Sequence, residues 1–344
     1  MNNLLCPEDY TIAWIAPLYI EARAALLLLD KRHQGRFPVS RGHDYTYEAG
    51  EICGHNVIIA TLPAGEAYGT GSAAAIAAQV KMYFPNLWLG LLVGVAAGLP
   101  NLQCDPPLDI RLGDVLVGMS EGENAGLVSY ELGKETGKDG FQPLRFGFVL
   151  APTEKLIRSA IAGIQLDEPD NIPETLRWYE QFSDKGHKHG SFADPGQEND
   201  ILYQIDDDQS ERVVPRDPRP ENKRTHIWYG PIGSGDKLMK NARKRNELRD
   251  RYNIIGLEME AAGTMNCIPV GVIRGVCDYG DEHKNKQWQP YAAAMAAAYA
   301  KTVLARIPPK NPPKFFVRVE RPDLQDGELR FQAPHSRRSD YGLT

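Results

Sequence analysis

The stretch from Asn253 to Asp281, NIIGLEMEAAGTMNCIPVGVIRGVCDYGD, decides the predicted fold. It begins as a short apolar strand, Ile254 to Leu257, and continues through Glu258-Met259-Glu260 into a helix of small residues. A second apolar strand, Val270 to Val276, then leads to Asp278. Because ligands of open α/β sheets bind beyond the carboxyl ends of the strands, this order predicts a pocket flanked by carboxylates.

The acidic residues of this stretch have two interpretations. Buried carboxylates cost free energy unless they are paired or functional, which favours a ligand site. Alternatively, acids at the N-terminus of a helix simply complement the helix dipole. If Glu258 and Glu260 lie in a helical segment, their i, i+2 spacing predicts that they point to different sides and serve different purposes.

A resemblance to a known family favours the first interpretation. The runs GLEMEAAG and VIRGVCDYGD resemble the purine nucleoside phosphorylase and nucleosidase superfamily, which includes the methylthioadenosine/adenosylhomocysteine nucleosidases. The run YTIAWIAPLYIEARAA near the start is most similar to the fungal branch. The resemblance spans roughly residues 10 to 306 and is loose between about 120 and 225.

Alternating strands and helices predict an α/β fold, and the resemblance implies a single three-layer domain with a central mixed sheet flanked by helices. We assign residues 10–307 to this nucleoside phosphorylase-like domain, with a less regular insertion at about 183–222. Residues 308–344 form a Pro-rich, charged tail that we expect to be poorly ordered.

Composition is typical of a soluble globular protein. The chain has 344 residues, of which 42% are hydrophobic and 24% are charged. A net charge of −6 without a basic stripe argues against a nucleic-acid partner, and the longest apolar run, Leu87 to Leu99, is too short to span a membrane. Five cysteines without C-x-x-C spacing, and no signal-peptide pattern, predict a cytoplasmic protein with reduced thiols.

The resemblance implies roles for the acidic residues. Asp278 matches the family's aspartate at the purine N7 and would be the general acid, which works best with a pKa raised toward neutrality. Glu260 matches the ribose-binding glutamate, Met259 would form an apolar floor under the sugar, and Glu258 is a further candidate for the substrate site. Taken alone, Asp278 could also cap a turn, and Met259 could also be a core residue.

A second carboxylate matches the group that activates water in the nucleosidases. Glu21, in PLYIEARAA, follows the first predicted strand and is expected at the same sheet edge as Asp278. By itself, a single acid on an amphipathic helix is usually a solvent-facing residue. The positional match is what favours a catalytic role for Glu21.

The sequence departs from the phosphorylase pattern at the phosphate site. In the glycine turn LLVGVAAG, Leu92 and Val95 stand where the hexameric phosphorylases have phosphate ligands, while Gly94 and Ala96 are expected at the substrate. An apolar wall beside a carboxylate disfavours a phosphate dianion, so hydrolysis is preferred. The run Gly69-Thr70-Gly71 could still hold an anion with backbone N–H groups, although so short a pattern is weak support.

Two further motifs bear on ligand binding, a loop at Ser234 and a pair of histidines. Ser234-Gly235-Asp236 matches a family loop whose aromatic residue stacks on the purine, and Leu238 occupies the stacking position here. An aliphatic wall at that position leaves the base preference open. His187 and His189 have the spacing of a metal pair, but no third ligand is evident, so neither a metal nor another cofactor is predicted.

These patterns predict a purine nucleosidase that hydrolyses ribonucleosides to free base and ribose and forms a homo-oligomer. One alternative is a phosphate-dependent phosphorylase with the same acid and ribose site. Another is a non-catalytic nucleoside-binding or sensor domain, since fungal relatives of this domain occur in immune-receptor-like proteins. The presence of Glu21, Glu260 and Asp278, without attached receptor-type regions, favours a free-standing enzyme.

Overall fold

A computed structural model describes residues 4–131, 133–137, 140–143, 150–167, 172–184, 191–205 and 210–310. The candidate metal pair His187 and His189 and most of the predicted tail lie outside these ranges. Across the described ranges, no helix is both long and apolar enough to cross a lipid bilayer.

The described residues contain the following strands: β1 (Ile12–Ile15), β2 (Lys31–Arg32), β3 (Tyr47–Ile52), β4 (His55–Ala60), β5 (Leu89–Gly98), β6 (Val115–Gly118), β7 (Leu127–Ser129), β8 (Gly133–Thr136), β9 (Gly140–Pro143), β10 (Tyr203–Ile205), β11 (Glu211–Val213), β12 (Ile227–Gly230), β13 (Ile232–Ser234), β14 (Gly256–Glu258) and β15 (Val270–Asp278). The helices are α1 (Tyr19–Leu28), α2 (Thr70–Tyr83), α3 (Lys155–Asp167), α4 (Ile172–Asp184), α5 (Ala242–Tyr252), α6 (Ala261–Thr264) and α7 (Gln289–Ala305).

Eleven of these strands form one mixed sheet, whose main path has the order β12-β6-β15-β5-β1-β4-β3-β2. Its centre is parallel, because β1 pairs in parallel with β4 and β5, and β15 pairs in parallel with β5. Strands buried on both faces read as continuous apolar runs, which explains the composition of β1, β5 and β15. The predicted α/β fold with a central mixed sheet flanked by helices is confirmed.

The long strand β5 connects the central sheet to a small side branch. Its last residues pair antiparallel with β14, which in turn pairs with β13. The same end of β5 pairs with the end of β15, where Asp278 lies opposite Ala97. Strands β14 and β15 therefore end beside the same segment of β5, with Glu258 at the end of one strand and Asp278 at the end of the other.

Helix α7 packs very closely on β15. Residues Tyr291–Leu304 are all buried, and a Cβ at Gly275 would overlap the carbonyl oxygen of Ala292. Small residues on both sides of this contact let the backbones approach, which the Ala-rich sequence anticipates. Because these residues of α7 are buried within the chain, they are not available as an apolar face for binding a second copy.

The described part of the predicted insertion is held to the sheet by buried ion pairs. Arg219 lies 2.7 Å from the fully buried carboxylate of Asp114. Arg216 lies 3.0 Å from Asp200 and also donates to the hydroxyl of Tyr279, the residue after Asp278. These contacts fix the chain that leaves the end of β15.

Candidate active site

A cavity of about 400 Å³ opens at the carboxyl ends of β5, β14 and β15, next to the N-terminus of α1. The predicted residues among those lining it are Glu21, Ala96, Leu238, Glu258, Met259 and Glu260. A second, larger cavity of about 830 Å³ lies between α1, β3 and the loop 33–46, and shares only Tyr19 with the first among the described residues. Six of the eight predicted site residues therefore line the smaller cavity, and Gly94 and Asp278 are not among its lining residues.

Arg274 is the centre of charge at this cavity. It lies in the middle of β15 and has no exposed surface. Its Nη2 contacts Glu258 and lies 3.0 Å from Oε2 of Glu260, and its Nη1 lies 3.9 Å from Oε1 of Glu21. One guanidinium therefore faces three carboxylates, one from α1 and two from the segment that joins β14 to α6.

The prediction that Glu258 and Glu260 point to different sides is wrong. Glu258 is the last residue of β14, and Glu260 precedes the first residue of α6, so the helical spacing does not apply. The Glu258 carboxylate accepts hydrogen bonds from the backbone N–H groups of Glu260 and Ala261, at 3.0 to 3.1 Å. It thereby caps α6 and brings both carboxylates to Arg274.

Glu21 is buried and is held by two backbone donors. Its Oε2 accepts from the N–H of Leu18 and its Oε1 accepts from the N–H of Val95, both at 2.8 Å. The first contact is a capping interaction at the start of α1, and the second links the helix to β5. Its side chain is 3% exposed and lines the cavity, so it is not a solvent-facing helix residue.

Gly94 stands where Glu21 and Arg274 approach each other. A Cβ at this position would overlap Oε1 of Glu21 and come within 2.5 Å of Nη1 of Arg274. Only a glycine leaves room for both groups here. The structure thus gives Gly94 a steric role beside the predicted water-activating residue.

The excess of carboxylates raises their proton affinity. Burial raises the pKa of Glu260 to about 8. Arg274 lowers this pKa, but the nearby charges of Glu258 and Glu21 raise it again. Burial also raises the pKa of Glu21, partly offset by Arg274. Both shifts move these acids toward neutrality, where a carboxyl group exchanges protons most effectively with a substrate.

Asp278 ends β15 and is paired with a lysine. Its Oδ2 lies 2.6 Å from Nζ of Lys284, and its Oδ1 accepts the N–H of Gly280 at 2.8 Å. The Asp278 side chain is 2% exposed, whereas that of Lys284 is 24% exposed and lines the cavity. Lys284 therefore both lines the cavity and contacts the predicted acid.

The predicted loop at Ser234 closes one side of the site. The Ser234 hydroxyl accepts the N–H of Ala262 at 2.9 Å, and Leu238 lines the cavity. The Asp236 carboxylate accepts both the backbone N–H and the hydroxyl of Thr70, at 2.6 and 2.9 Å. Within the glycine run 69–71, the backbone N–H of Thr70 is thus already bound by a carboxylate.

Sequence reasoning missed two charged residues of this site. Arg274 lies within an otherwise apolar strand, and a buried guanidinium must be paired, so its position was a readable signal of a carboxylate partner. Lys284 follows Asp278 in a polar loop and carries no comparable signal. Its contact with Asp278 depends on how the loop folds back after β15.

With this geometry known, comparisons with other proteins define the class of fold. The methylthioadenosine/adenosylhomocysteine nucleosidase of Helicobacter pylori has a TM-score of 0.57 at 14% identity, over 87% of this chain and 99% of that one. The corresponding nucleosidase of Neisseria meningitidis, solved with methylthio-immucillin-A, has a TM-score of 0.55 at 18% identity, over 86% of this chain and 99% of that one. Futalosine hydrolase of Helicobacter pylori has a TM-score of 0.54 at 14% identity, over 87% and 99% of the two chains. The chain therefore has the nucleoside phosphorylase-like fold of these nucleosidases.

A relative in sequence comes from a larger protein. A nucleotide-binding leucine-rich repeat (NLR)-like protein of Hyaloscypha variabilis is 37% identical over 314 residues, which are 89% of this chain. The chain spans about 30% of the length of that relative. No protein-family model matches the sequence.

Proposed function

We propose that the protein is a purine nucleosidase, which hydrolyses the N-glycosidic bond of purine ribonucleosides to free base and ribose without a cofactor. The observation that carries the proposal is the 3.9 Å gap between Oε1 of Glu21 and Nη1 of Arg274, beside Glu260 in the cavity. Polar atoms at such a separation are commonly bridged by a water molecule. The fold shared with known nucleosidases supports the same reaction class.

The attacking water is assigned to this gap. Among the described residues, Nη1 of Arg274 is buried without a hydrogen-bond partner, so it is free to donate to a water oxygen. Glu21 takes the proton of that water, the oxygen bonds to C1′ of the ribose, and the bond from C1′ to the purine nitrogen breaks. Glu21 must be ionised to accept the proton, and its raised pKa makes it a better base than an ordinary glutamate.

Glu260 is assigned to the ribose. Its carboxylate can accept hydrogen bonds from both sugar hydroxyls while Met259, which also lines the cavity, packs against the sugar ring. When Glu260 has lost its proton, its negative charge stabilises the positive charge that develops on the sugar in the transition state. Glu258 supports this role indirectly, because it holds the N–H of Glu260 and the guanidinium of Arg274.

The departing base is assigned to Asp278 together with Lys284. The purine must leave with a proton at N7. We assign that proton to the ammonium of Lys284, whose side chain lines the cavity and which the Asp278 carboxylate stabilises from 2.6 Å until the transfer leaves a neutral amine. Burial lowers the pKa of Lys284, but the charge of Asp278 more than compensates and the pKa lies above its usual value. A cationic donor at this point stabilises the negative charge that builds on the base.

Hydrolysis is favoured over phosphorolysis by the surroundings of the water. Leu92 has no exposed surface, and Val95 presents its side chain to the cavity and its N–H to Glu21. The N-terminus of α2, a natural anion site, is capped by Asp236. A phosphate dianion would be repelled by Glu21 beside Val95 and by Asp236 at the N-terminus of α2.

The test is a panel of purine nucleosides assayed for released base and sugar, with and without inorganic phosphate. Free ribose at an unchanged rate in both conditions is the expected result. Ribose 1-phosphate as the main product would replace the hydrolase by a phosphorylase that uses the same acid and ribose site. A Glu21→Gln variant, purified and assayed in the same way, serves as the control: any activity that it shares with the unmodified protein comes from a contaminating enzyme.

A second candidate function is nucleoside sensing without turnover. It is favoured by the NLR-like relative, in which the matching segment is one part of a longer protein described as nucleotide-binding. A sensor would bind a nucleoside at the same ribose and base positions and leave it intact. Binding by calorimetry, with the nucleoside recovered unchanged after prolonged incubation, would favour this candidate over the enzyme.

We also expect a cytoplasmic homo-oligomer. Since α7 is buried within the chain, we assign the contact to α2, where Met82 is 66% exposed. Light scattering at micromolar concentration should give a mass above that of one chain, and Met82→Glu should lower it. A monomer that retains full activity would contradict the expectation.

A further inference from the structure

Lys284 presents hydrogen-bond donors to the base end of the cavity. Its ammonium carries three N–H groups, and one of them is used by Oδ2 of Asp278 at 2.6 Å. The side chain is 24% exposed and lines the cavity. Two N–H groups therefore remain for a ligand, and an ammonium has no acceptor to offer.

Asp278 itself has little accepting capacity left for a ligand. Its carboxylate receives the N–H of Gly280 at 2.8 Å, the thiol of Cys277 at 3.2 Å and the ammonium of Lys284. Its side chain is 2% exposed behind that lysine. The group that meets the base at this point is consequently a donor rather than an acceptor.

Purines differ in what they present on the corresponding edge. A purine with a carbonyl at C6 has two adjacent acceptors, N7 and O6, whereas a purine with an amino group at C6 has the acceptor N7 beside a donor. Lysine pairs with the first arrangement through N7 and O6 together. Against the second, one ammonium N–H would face an N–H of the base, and a buried donor would be left unpaired.

The opposite walls of the cavity do not compensate for this difference. Leu238 and Met239 offer an aliphatic side chain and a thioether, neither of which distinguishes a carbonyl from an amino group by strong hydrogen bonding. The side-chain oxygen of Asn285, which also lines the cavity, already accepts the N–H of Gln287 at 2.9 Å. Tyr68 and Gln289 also line the cavity, but Lys284 is the charged lining side chain that is bonded to Asp278, so we assign the discrimination to it.

We propose that Lys284 is the specificity-determining residue of the site and selects purine nucleosides that carry a carbonyl at C6. This inference rests on the proposed function only in placing a purine in the cavity. It does not require turnover, because recognition of the base edge precedes any chemistry.

The experiment measures binding and turnover of inosine and adenosine separately, in the full chain. The unmodified protein should bind inosine about tenfold or more tightly than adenosine by calorimetry, the scale expected for a paired lysine contact. Lys284→Met should reduce this preference to about twofold or less, and Lys284→Arg should retain it because the donors remain. Lys237→Met is the matched control at the rim of the same cavity, since Lys237 is 82% exposed and paired with Glu131, and it should change both affinities equally.

Removal of Lys284 leaves the buried Asp278 without its cationic partner, so Lys284→Met combined with Asp278→Asn provides a second variant that has no charge at either of these two positions. It should also lack the preference. The proposal is overturned if adenosine binds as tightly as inosine to the unmodified protein, if neither binds, or if the folded Lys284 variants keep the preference. Selective binding of inosine without release of base would leave this inference standing and reject the nucleosidase instead.

Discussion

The carboxylate of Glu260 lies 3.0 Å from Nη2 of Arg274, the same guanidinium nitrogen that contacts Glu258. With Glu21 on the other side of the guanidinium, three acids share one fixed positive charge in a buried site. Such a cluster has surplus negative charge once all three acids are ionised. It is therefore suited to a ligand that becomes cationic, as the ribosyl group does when the base departs.

The first prediction concerns the effect of pH on stability. The pKa of Glu260 rises from an ordinary value of 4.5 to about 8 in the folded protein, so the folded state holds this proton more tightly than the unfolded chain. The resulting stabilisation is complete below the lower value and is lost as pH rises through the higher one. Between about pH 6 and about pH 9 the free energy of unfolding should fall, on the order of 2 kcal/mol.

Urea unfolding at the two pH values checks this expectation. Glu260→Gln cannot ionise, so it should show a smaller fall over the same interval than the unmodified protein. The remaining fall reports other acids with raised pKa values, which include Glu21 and Asp281. Parallel pH profiles for the two proteins would show that Glu260 does not carry the shift.

The second prediction concerns the departing base. Asp278→Asn keeps the shape of the side chain but removes the charge that stabilises the ammonium of Lys284, 2.6 Å away. Hydrolysis should slow by at least about 100-fold, the usual scale for acid catalysis, with little loss of folding. Steady-state release of base, together with a thermal unfolding curve, measures both effects. Activity within a few-fold of the unmodified rate would remove Asp278 from the reaction.

Regular patterns made much of the fold predictable from the sequence. The apolar runs of β5 and β15 are buried in the parallel centre of the sheet, and β3 and β4 form a hairpin around Gly54. The turn between them has positive φ at Cys53 and Gly54, where the glycine supplies the freedom required. Period and turn chemistry are local properties, and they are readable without knowing the rest of the chain.

The arrangement of charges was less predictable because it is not local. Glu21, Glu258 and Arg274 come from α1, β14 and β15, and they meet only after β5 has paired with both strands. A helical spacing of Glu258 and Glu260 predicts divergent side chains, but the helix begins only at Ala261. In the structure Glu258 still belongs to a strand and caps the helix that follows.

The third prediction concerns the attacking water. Glu21→Gln keeps the shape of the side chain but cannot take a proton, so turnover should fall by about 100-fold or more. Nucleoside affinity should change little, because Glu260 and Lys284 lie at the ribose and base positions. Rapid-quench turnover and calorimetric binding separate the two effects, and the exposed Glu66→Gln serves as a control for loss of one carboxylate. An unimpaired Glu21→Gln enzyme would leave hydrolysis standing but assign the water to another group.

The last prediction concerns the space between Glu21 and Arg274. Gly94→Ala would place a methyl group against Oε1 of Glu21 and Nη1 of Arg274, so one of the two must move. Overpacking of this kind costs about 1–3 kcal/mol of stability. Displacement of the Glu21 carboxylate by an ångström should lower turnover by about 100-fold. Gly71→Ala is the matched control, since its added Cβ meets no atom within 4 Å and alanine is accepted in a helix.

A double-mutant comparison decides whether Gly94 acts through Glu21. If the methyl group abolishes turnover by displacing that carboxylate, Gly94→Ala should cause little further loss when it is added to Glu21→Gln. Independent effects would instead multiply, giving a loss near the product of the two single losses. Multiplicative losses in a folded double variant, or full activity of Gly94→Ala alone, would contradict the assignment of the attacking water to the gap beside Gly94.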